Sequence, residues 1–459
     1  MSGLSSALNL GKSSLATHQK LIEVAGNNIA NVNTPGYSRQ VANLATVPAL
    51  NMRGFLVGQG VTVSSVQREQ DVFLTRQLRD KNTALGEQAA KTSHLTELER
   101  IFNIGDNNLS RRISEFFDAW QQLSANPGGS VERNAVLQQG ALVADGFQTA
   151  QKDLQRLSSQ IDDTLAAKLG DINLKLQQVA DYNQRISTVE ATGVSANSDR
   201  DQRDLLLEEL SYTLGVQAYE NSNGTVSVQL ANGLPLVEGN RAMALEASQD
   251  GGRMTFAVNL GSTTRPLDSS SLGGEFKGLL SLRDELIPQV QEQLDQLAYV
   301  LVSEVNALHA AGTGQGGSTG VLFFQNLTDA AGAAGSIGVA ITDSRQLAAG
   351  QNAGEGDNRN ALAMAALADS KVLGGTDTFT TFYGNLASRV GLASAQNRLS
   401  QTGLEDTLVQ LQNLRDSKVG VSLEEEMINL IQFQRGFEAS AKLLTTVDEM
   451  METVLSIKR

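Results

Sequence analysis

Three histidines, His18, His94 and His309, are the first places to look for chemistry, and they stand far apart in the chain. None has a histidine one helical turn away, and the chain has no cysteine. Zinc sites and nucleophilic triads need such partners, so these read as solvated or interface histidines. Gly11-Lys12-Ser13 looks like the end of a phosphate-binding loop, but Ser6 stands where that loop needs its first glycine and no strand precedes it. The run from Gly312 to Gly317 is glycine-rich without a following Lys-Ser/Thr, and reads as a flexible loop. Asp199, Asp201 and Asp204 alternate with Arg200 and Arg203 without calcium-loop spacing, which reads as a charged, self-paired helix start. Glu424, Glu425 and Glu426 sit where a helix dipole favours negative charge. No carboxylate pair stands out as a glycosidase's would. The expectation is no catalytic, cofactor-binding or metal-ligating residue, no cofactor, and no enzyme.

The bulk composition narrows the class further. The chain has 459 residues, enough for two or three domains. A net charge of −14 argues against a nucleic-acid partner. No run of 18 apolar residues occurs, so no membrane span is expected. The N-terminus lacks a signal-peptide pattern, so any exit from the cell is expected to use another route. Six prolines leave room for long unbroken helices.

Those helices organise the chain. In the last one, residues 422–459, Leu423, Met427, Leu430, Gln434, Phe437, Ala441, Leu444, Asp448, Met451 and Leu455 recur at alternating steps of four and three. Ser422 and Glu425 form a capping-box signature at its start. In the first helix, residues 3–33, Leu4, Leu8, Gly11, Leu15, His18, Ile22, Ala25 and Ile29 follow the same rhythm. The two are expected to pair as a coiled-coil stem, with everything between looped out from it. The first helix carries only Lys12, Lys20 and Glu23 as charges. Its Ser, Thr and Asn positions suit polar packing against further chains or a water-filled channel. Both helices are expected to be marginal until assembled.

Between them, Pro35-Gly36 marks a turn and residues 41–66 read as extended, with Gly54, Gly58 and Gly60 in the run. Helices are predicted over 71–102, around Ile113 to Leu123, over 131–190, 199–214, 276–310, 360–373 and 378–418. The 131–190 segment would reach about 90 Å. Alternation at 225–230 and 254–260, with turn chemistry at Asn221 to Gly224 and Asp250-Gly251-Gly252, predicts a small β domain. A brief strand is predicted at 337–341. The fold class is mainly α with an inserted β domain. The expected domains are residues 1–33 with 422–459, an extended linker at 34–70, an elongated helical domain of 71–214 with 275–421, and the β domain at 215–274.

One stretch carries a resemblance. Asn27, Asn28, Asn31, Asn33, Pro35, Gly36, Tyr37, Arg39 and Gln40, within Gly26 to Gln40, are similar to the signature of bacterial flagellar axial proteins: rod, hook and hook-associated proteins. Tyr37-Ser38-Arg39-Gln40, the run Val66 to Asp71, Asp201 to Leu205, Gly273-Gly274 with Leu282 to Asp284, and Asp357 to Asn360 narrow it to the hook-associated protein 1 family of the hook–filament junction. The resemblance implies a structural adaptor of the bacterial flagellum. It would form a ring of copies of itself, meeting hook protein and hook-associated protein 3. It would be secreted unfolded through the flagellar type III apparatus, with a cytoplasmic export chaperone on its C-terminal helix. The terminal helices would form a tube around the export channel, and the β insert would project outward. Some family members carry a further outer domain where this chain has only residues 321–356, so that domain is expected to be absent. The alternatives are another axial protein of hook or rod, or a flagellum-associated wall hydrolase.

Overall fold

A computed structural model describes residues 2–52, 55–102, 108–251, 253–261, 263–352, 354 and 356–457. Gly54, Gly252 and the terminal Arg459 of the reading above lie outside them. The chain is mainly α-helical with small antiparallel sheets. Helix α1 (Ser2–Ala30) leads into the signature turn. Strands β1 (Gln40–Thr46) and β4 (Val61–Arg68) then pair antiparallel, and the short β2 (Leu50–Met52) and β3 (Phe55–Val57) form a ribbon between them.

The helical body begins with α2 (Val72–Ile101), capped by the Asp71 carboxylate on the Leu74 N–H at 3.0 Å. After α3 (Leu109–Ala125) comes α4 (Ser130–Glu190), whose 61 residues span about 90 Å. Its buried row of Leu154, Leu157, Ile161, Leu165, Ile172, Leu176, Val179 and Ile186 holds the body's core along its length. Helix α5 (Asn197–Leu214) turns the chain into the β region.

That region is two sheets. Strands β5 (Gln217–Glu220), β6 (Val226–Gln229), β7 (Pro235–Glu238) and β8 (Arg241–Ala242) form one in sequence order. Strands β9 (Ala244–Asp250), β10 (Arg253–Asn259) and β11 (Thr264–Leu267) form the second, with β10 central. Both lean on α4. Asn183, fully buried on α4, donates to the Val226 and Gly239 carbonyls and accepts from the Val226 N–H.

Helix α6 (Gly274–Ser281) passes through a π-helical turn at Leu282–Leu286 into α7 (Ile287–Ala311). Pro288 has no N–H to give the preceding turn, and the wider turn absorbs that loss. The predicted strand at 337–341 is absent. Helix α8 (Ala333–Ser336) stands before it, and Ile337 and Ile341 are buried in extended chain with one isolated bridge, Phe324 to Val339. The helix predicted over 360–373 is shorter, α9 (Arg359–Ala366), followed by a 3-10 turn. Helix α10 (Phe379–Val419) returns antiparallel along α2 and opens with a Thr378/Thr381 capping box. Asn397 donates to Gln88 and Thr92, and Lys418 reaches Asp71. Finally α11 (Leu423–Ile457) runs back along α1.

His309 is a core residue and neither solvated nor interfacial. Its Nε2 accepts from the Ala348 N–H at 3.1 Å, so Nδ1 carries the proton and donates to the Val321 carbonyl at 2.7 Å. Burial lowers its pKa.

Candidate assembly surface

Two helices that meet along a stripe need the right residues on facing columns. In α1 those columns are Leu4, Gly11, His18, Ala25 and Ala7, Ser14, Leu21, Asn28. In α11 they are Leu430, Phe437, Leu444, Met451 and Glu426, Phe433, Ser440, Val447. The helices are antiparallel, because Ser14 Oγ meets Ser440 Oγ at 2.8 Å while Asn28 meets Glu426. Small residues receive large ones. A Cβ on Gly11 would stand 2.8 Å from Leu444, and one on Gly436 would overlap the His18 ring.

The predicted stripe therefore mixes one facing column with its neighbour. Leu8, Leu15, Ile22 and Ile29 are half-buried flank residues, and Ala441 is half-buried too. Leu423, Met427 and Leu455 stand out to solvent, 46%, 55% and 57% exposed. Both helices carry apolar residues at adjacent positions, such as Leu21 with Ile22, so the four-three rhythm fits either choice. The polar residues Ser14, Asn28, Glu426 and Ser440 decide it, each at seven-residue spacing from an apolar residue in its own column. That spacing was the signal available in the sequence.

The polar face of α1 is used inside the chain as well. Thr17 Oγ1 donates to the Val61 carbonyl at 2.8 Å and Ser13 Oγ to the same carbonyl at 3.1 Å. Strand β4 thus lies along one flank of α1, next to the face that meets α11.

The signature residues gather at the lower end of this stem. Asn28 is 1% exposed and all four of its amide bonds are made. Its Nδ2 donates to the Gln40 carbonyl at 2.9 Å and to Glu426 Oε2 at 3.1 Å. Its Oδ1 accepts from the Gln40 N–H at 2.9 Å and the Tyr37 hydroxyl at 2.7 Å. Asn27 reaches Tyr37, Asn31 folds back on Asn27, and Thr34 donates to Asn31. Gly36 takes the left-handed conformation, φ 77°, that the turn requires. Asn33 and Pro35 are exposed at the turn.

Arg39 then clamps the start of α11. Its Nε sits 2.8 Å from Glu426, with Glu425 and Glu69 at 3.5 and 3.7 Å. Ser422 Oγ accepts from the Glu425 N–H at 3.4 Å, while the Glu425 carboxylate turns to Arg39 and leaves the capping box half made.

The acidic run on α5 is not self-paired. Asp201 accepts from the Ser38 N–H and hydroxyl and pairs with Arg68 at 3.0 Å. Asp204 pairs with Arg68 and Arg79, and Asp199 with Arg185. Arg200 goes to Glu190 and Glu220, and Arg203 is buried on Asn183 and the Gly224 carbonyl. These side chains bind α5 to the signature turn, β4, α2 and the first sheet. Burial raises the Asp201 carboxyl despite Ser38 and Arg68. Burial would raise Asp204 too, but Arg68, Arg79 and Arg203 hold it below the usual carboxylate range. Burial, with Asp201 and Glu426 nearby, pushes the Tyr37 phenol up to about 12.

What this arrangement offers is a surface. Ile428, Ile431, Leu443, Met450 and Val454 of α11 are 41–65% exposed, beside Met427. Such apolar exposure, repeated near both ends of the helix, marks a place where another chain packs.

Three family models match the sequence. The flagellar hook-associated protein FlgK helical domain covers residues 95–324, half of the chain. The flagellar basal body rod FlgEFG protein C-terminal model covers 416–457, and the flagella basal body rod protein model covers 8–37. The flagellar hook-associated protein 1 of Escherichia coli (strain K12) is 27% identical over 551 residues, covering 99% of this chain and 100% of that one. Its namesake in Bacillus subtilis (strain 168) is 29% identical over 497 residues, covering 98% and 97%. The solved structure of the flagellar hook junction protein FlgK from Burkholderia pseudomallei superposes with a TM-score of 0.65 at 18% identity, over 74% of this chain and 99% of that one.

Proposed function

The chain belongs to the FlgK family of flagellar hook-associated proteins, structural components of the flagellum, and from that premise we propose that it is the adaptor joining hook to filament. Copies assemble as a ring, one face against hook protein and the other against hook-associated protein 3. The stem of α1 and α11 forms the inner tube domain, and the region between residues 34 and 70 links it to the helical body. The protein has no catalytic role, and it leaves the cell unfolded through the flagellar type III apparatus. A cytoplasmic export chaperone covers the C-terminal helix until then.

The observation that supports this reading is the division of labour on α11. One side packs on α1 within the chain, while Met427, Ile428, Ile431, Leu443, Met450 and Val454 stay uncovered. A monomer gains nothing from such exposure, whereas a neighbouring stem or a chaperone would bury it. The two rod-type matches fall on the same terminal helices, so a hook or rod position is the second reading.

Electron microscopy of cells lacking the gene separates the two. Hooks of normal length without filaments, with flagellin lost to the medium, are expected. Missing or malformed hooks would move the protein down the axis, and intact filaments would overturn the assignment.

A further inference from the structure

A buried charge without a partner is costly, so a folded chain that keeps one has a reason for it. Arg133, near the start of α4, is 4% exposed and pairs with no carboxylate among the described residues. Its Nε donates to the Pro127 carbonyl at 2.9 Å, and its Nη1 to the Ser344 and Leu347 carbonyls at 3.2 and 2.8 Å. Burial lowers its pKa with no acid offsetting the effect. Nη2 makes no hydrogen bond to any described residue, and Arg133 lines a cleft of about 630 Å³.

The cleft walls suit a small guest. Thr313, Gln315 and Gly350 come from the two glycine-bearing loops, and Pro127 from the α3–α4 turn. Few side chains intrude. Asp357 stands on the rim, but its charge is engaged: Arg359 pairs with it at 2.8 Å, and the Gln351, Asn352 and Arg359 N–H groups donate to it. Among the described residues, the uncompensated charge in the cleft is therefore positive. The two N–H groups of Nη2, on a guanidinium fixed in place by three carbonyls, are charged donors suited to an oxyanion's oxygen.

We propose that this cleft binds the carboxylate or phosphate group of a small molecule, held on the free Nη2 edge of Arg133. The site lies in the helical body, away from the stem, and is independent of the junction role.

The test is calorimetric titration of the full chain with inorganic phosphate and, separately, with acetate, alongside thermal melts. Saturable heat and a raised melting midpoint with either oxyanion are expected, and the more effective one identifies the group. Arg133→Met should abolish both signals. Because that change also removes three structural hydrogen bonds, Gln315→Glu is the companion. Gln315 is exposed and lines the cleft. The variant retains Arg133 and its three carbonyl partners, exchanges the exposed Gln315 Nε2 bond to the Gly128 carbonyl for a negative charge at the mouth, and should weaken binding about tenfold or more. Unaltered binding in Gln315→Glu, or no binding of either oxyanion to the wild-type chain, would overturn the proposal.

Discussion

Replacing Asn28 tests the stem at its most constrained point. Asn28→Ala removes four hydrogen bonds and leaves the Gln40 N–H and carbonyl, the Tyr37 hydroxyl and one Glu426 oxygen short of a partner in a site only 1% exposed. Each buried group left unpaired costs about 1–3 kcal/mol, offset where water or a rotated side chain reaches it, so a loss of roughly 3–5 kcal/mol is expected. Asn28→Asp is nearly isosteric but worse near neutral pH. Its new oxygen would face Glu426 Oε2 across the present 3.1 Å contact. Two unit charges at that distance repel by about 5 kcal/mol at an effective dielectric constant of 20. The chain avoids this by binding a proton or parting the helices, so the Asn28→Asp defect should shrink as pH falls, while the Asn28→Ala defect should not. Adding Glu426→Gln to Asn28→Asp reverses the roles of amide and carboxylate and should recover about 1–3 kcal/mol as a coupling term. The assay is amide hydrogen exchange, comparing α1 and α11 with α4 as an internal reference. Unchanged protection of both stem helices in Asn28→Ala would refute the reasoning, as would zero coupling in the double variant.

Three further outcomes follow from the same geometry. Gly436→Ala should cost about 1–3 kcal/mol of stem stability, because its methyl overlaps the His18 ring, and His18→Ala in the same chain should recover much of it in the exchange assay. Deleting residues 423–459 should block assembly while leaving the body folded, since α11 packs chiefly on α1 and the single tryptophan, Trp120, lies fully buried in the body; the check is native tryptophan fluorescence with a cooperative melt, and an unfolded fragment would count against the stem-and-insert organisation. The fold keeps the Tyr37 phenol neutral by raising it from 10.0 to about 12, so its stabilising contribution is intact below pH 10 and lost as pH rises through 12. Tyr37 and Tyr383 are both raised to about 12, so Tyr37→Phe should halve the late phenolate step in an alkaline absorbance titration, and an unchanged titration would contradict the buried hub.

Much of the organisation was legible because it rests on periodicity. The α4 row of Leu154 to Ile186 repeats with the helical period over tens of residues, so its core face stands out. Alternation at Val226 to Leu230 and Met254 to Val258 likewise marks strands. The strand predicted at 337–341 shows where the signal is too short. Ile337 and Ile341 are buried by the body around them, and burial alone does not make a ladder. The acidic run on α5 shows a second limit. Asp201 and Asp204 have nearer arginines in sequence, yet their partners Ser38, Arg68 and Arg79 come from the turn, strand and helix that the fold brings alongside.

By itself, then, the sequence determined the mainly helical class, the inserted strands, the family signature and the apolar rhythm of the two terminal helices, because these depend on spacing along one chain. The tertiary structure alone decided which column of each stripe faces the other, where the signature points, and which apolar residues remain outside. The physical reason is that adjacent apolar residues satisfy the helical period equally well. The choice falls to contacts between distant segments: Asn28 needs Glu426 and Gln40 at hydrogen-bond distance, and Gly11 and Gly436 must stand opposite Leu444 and His18.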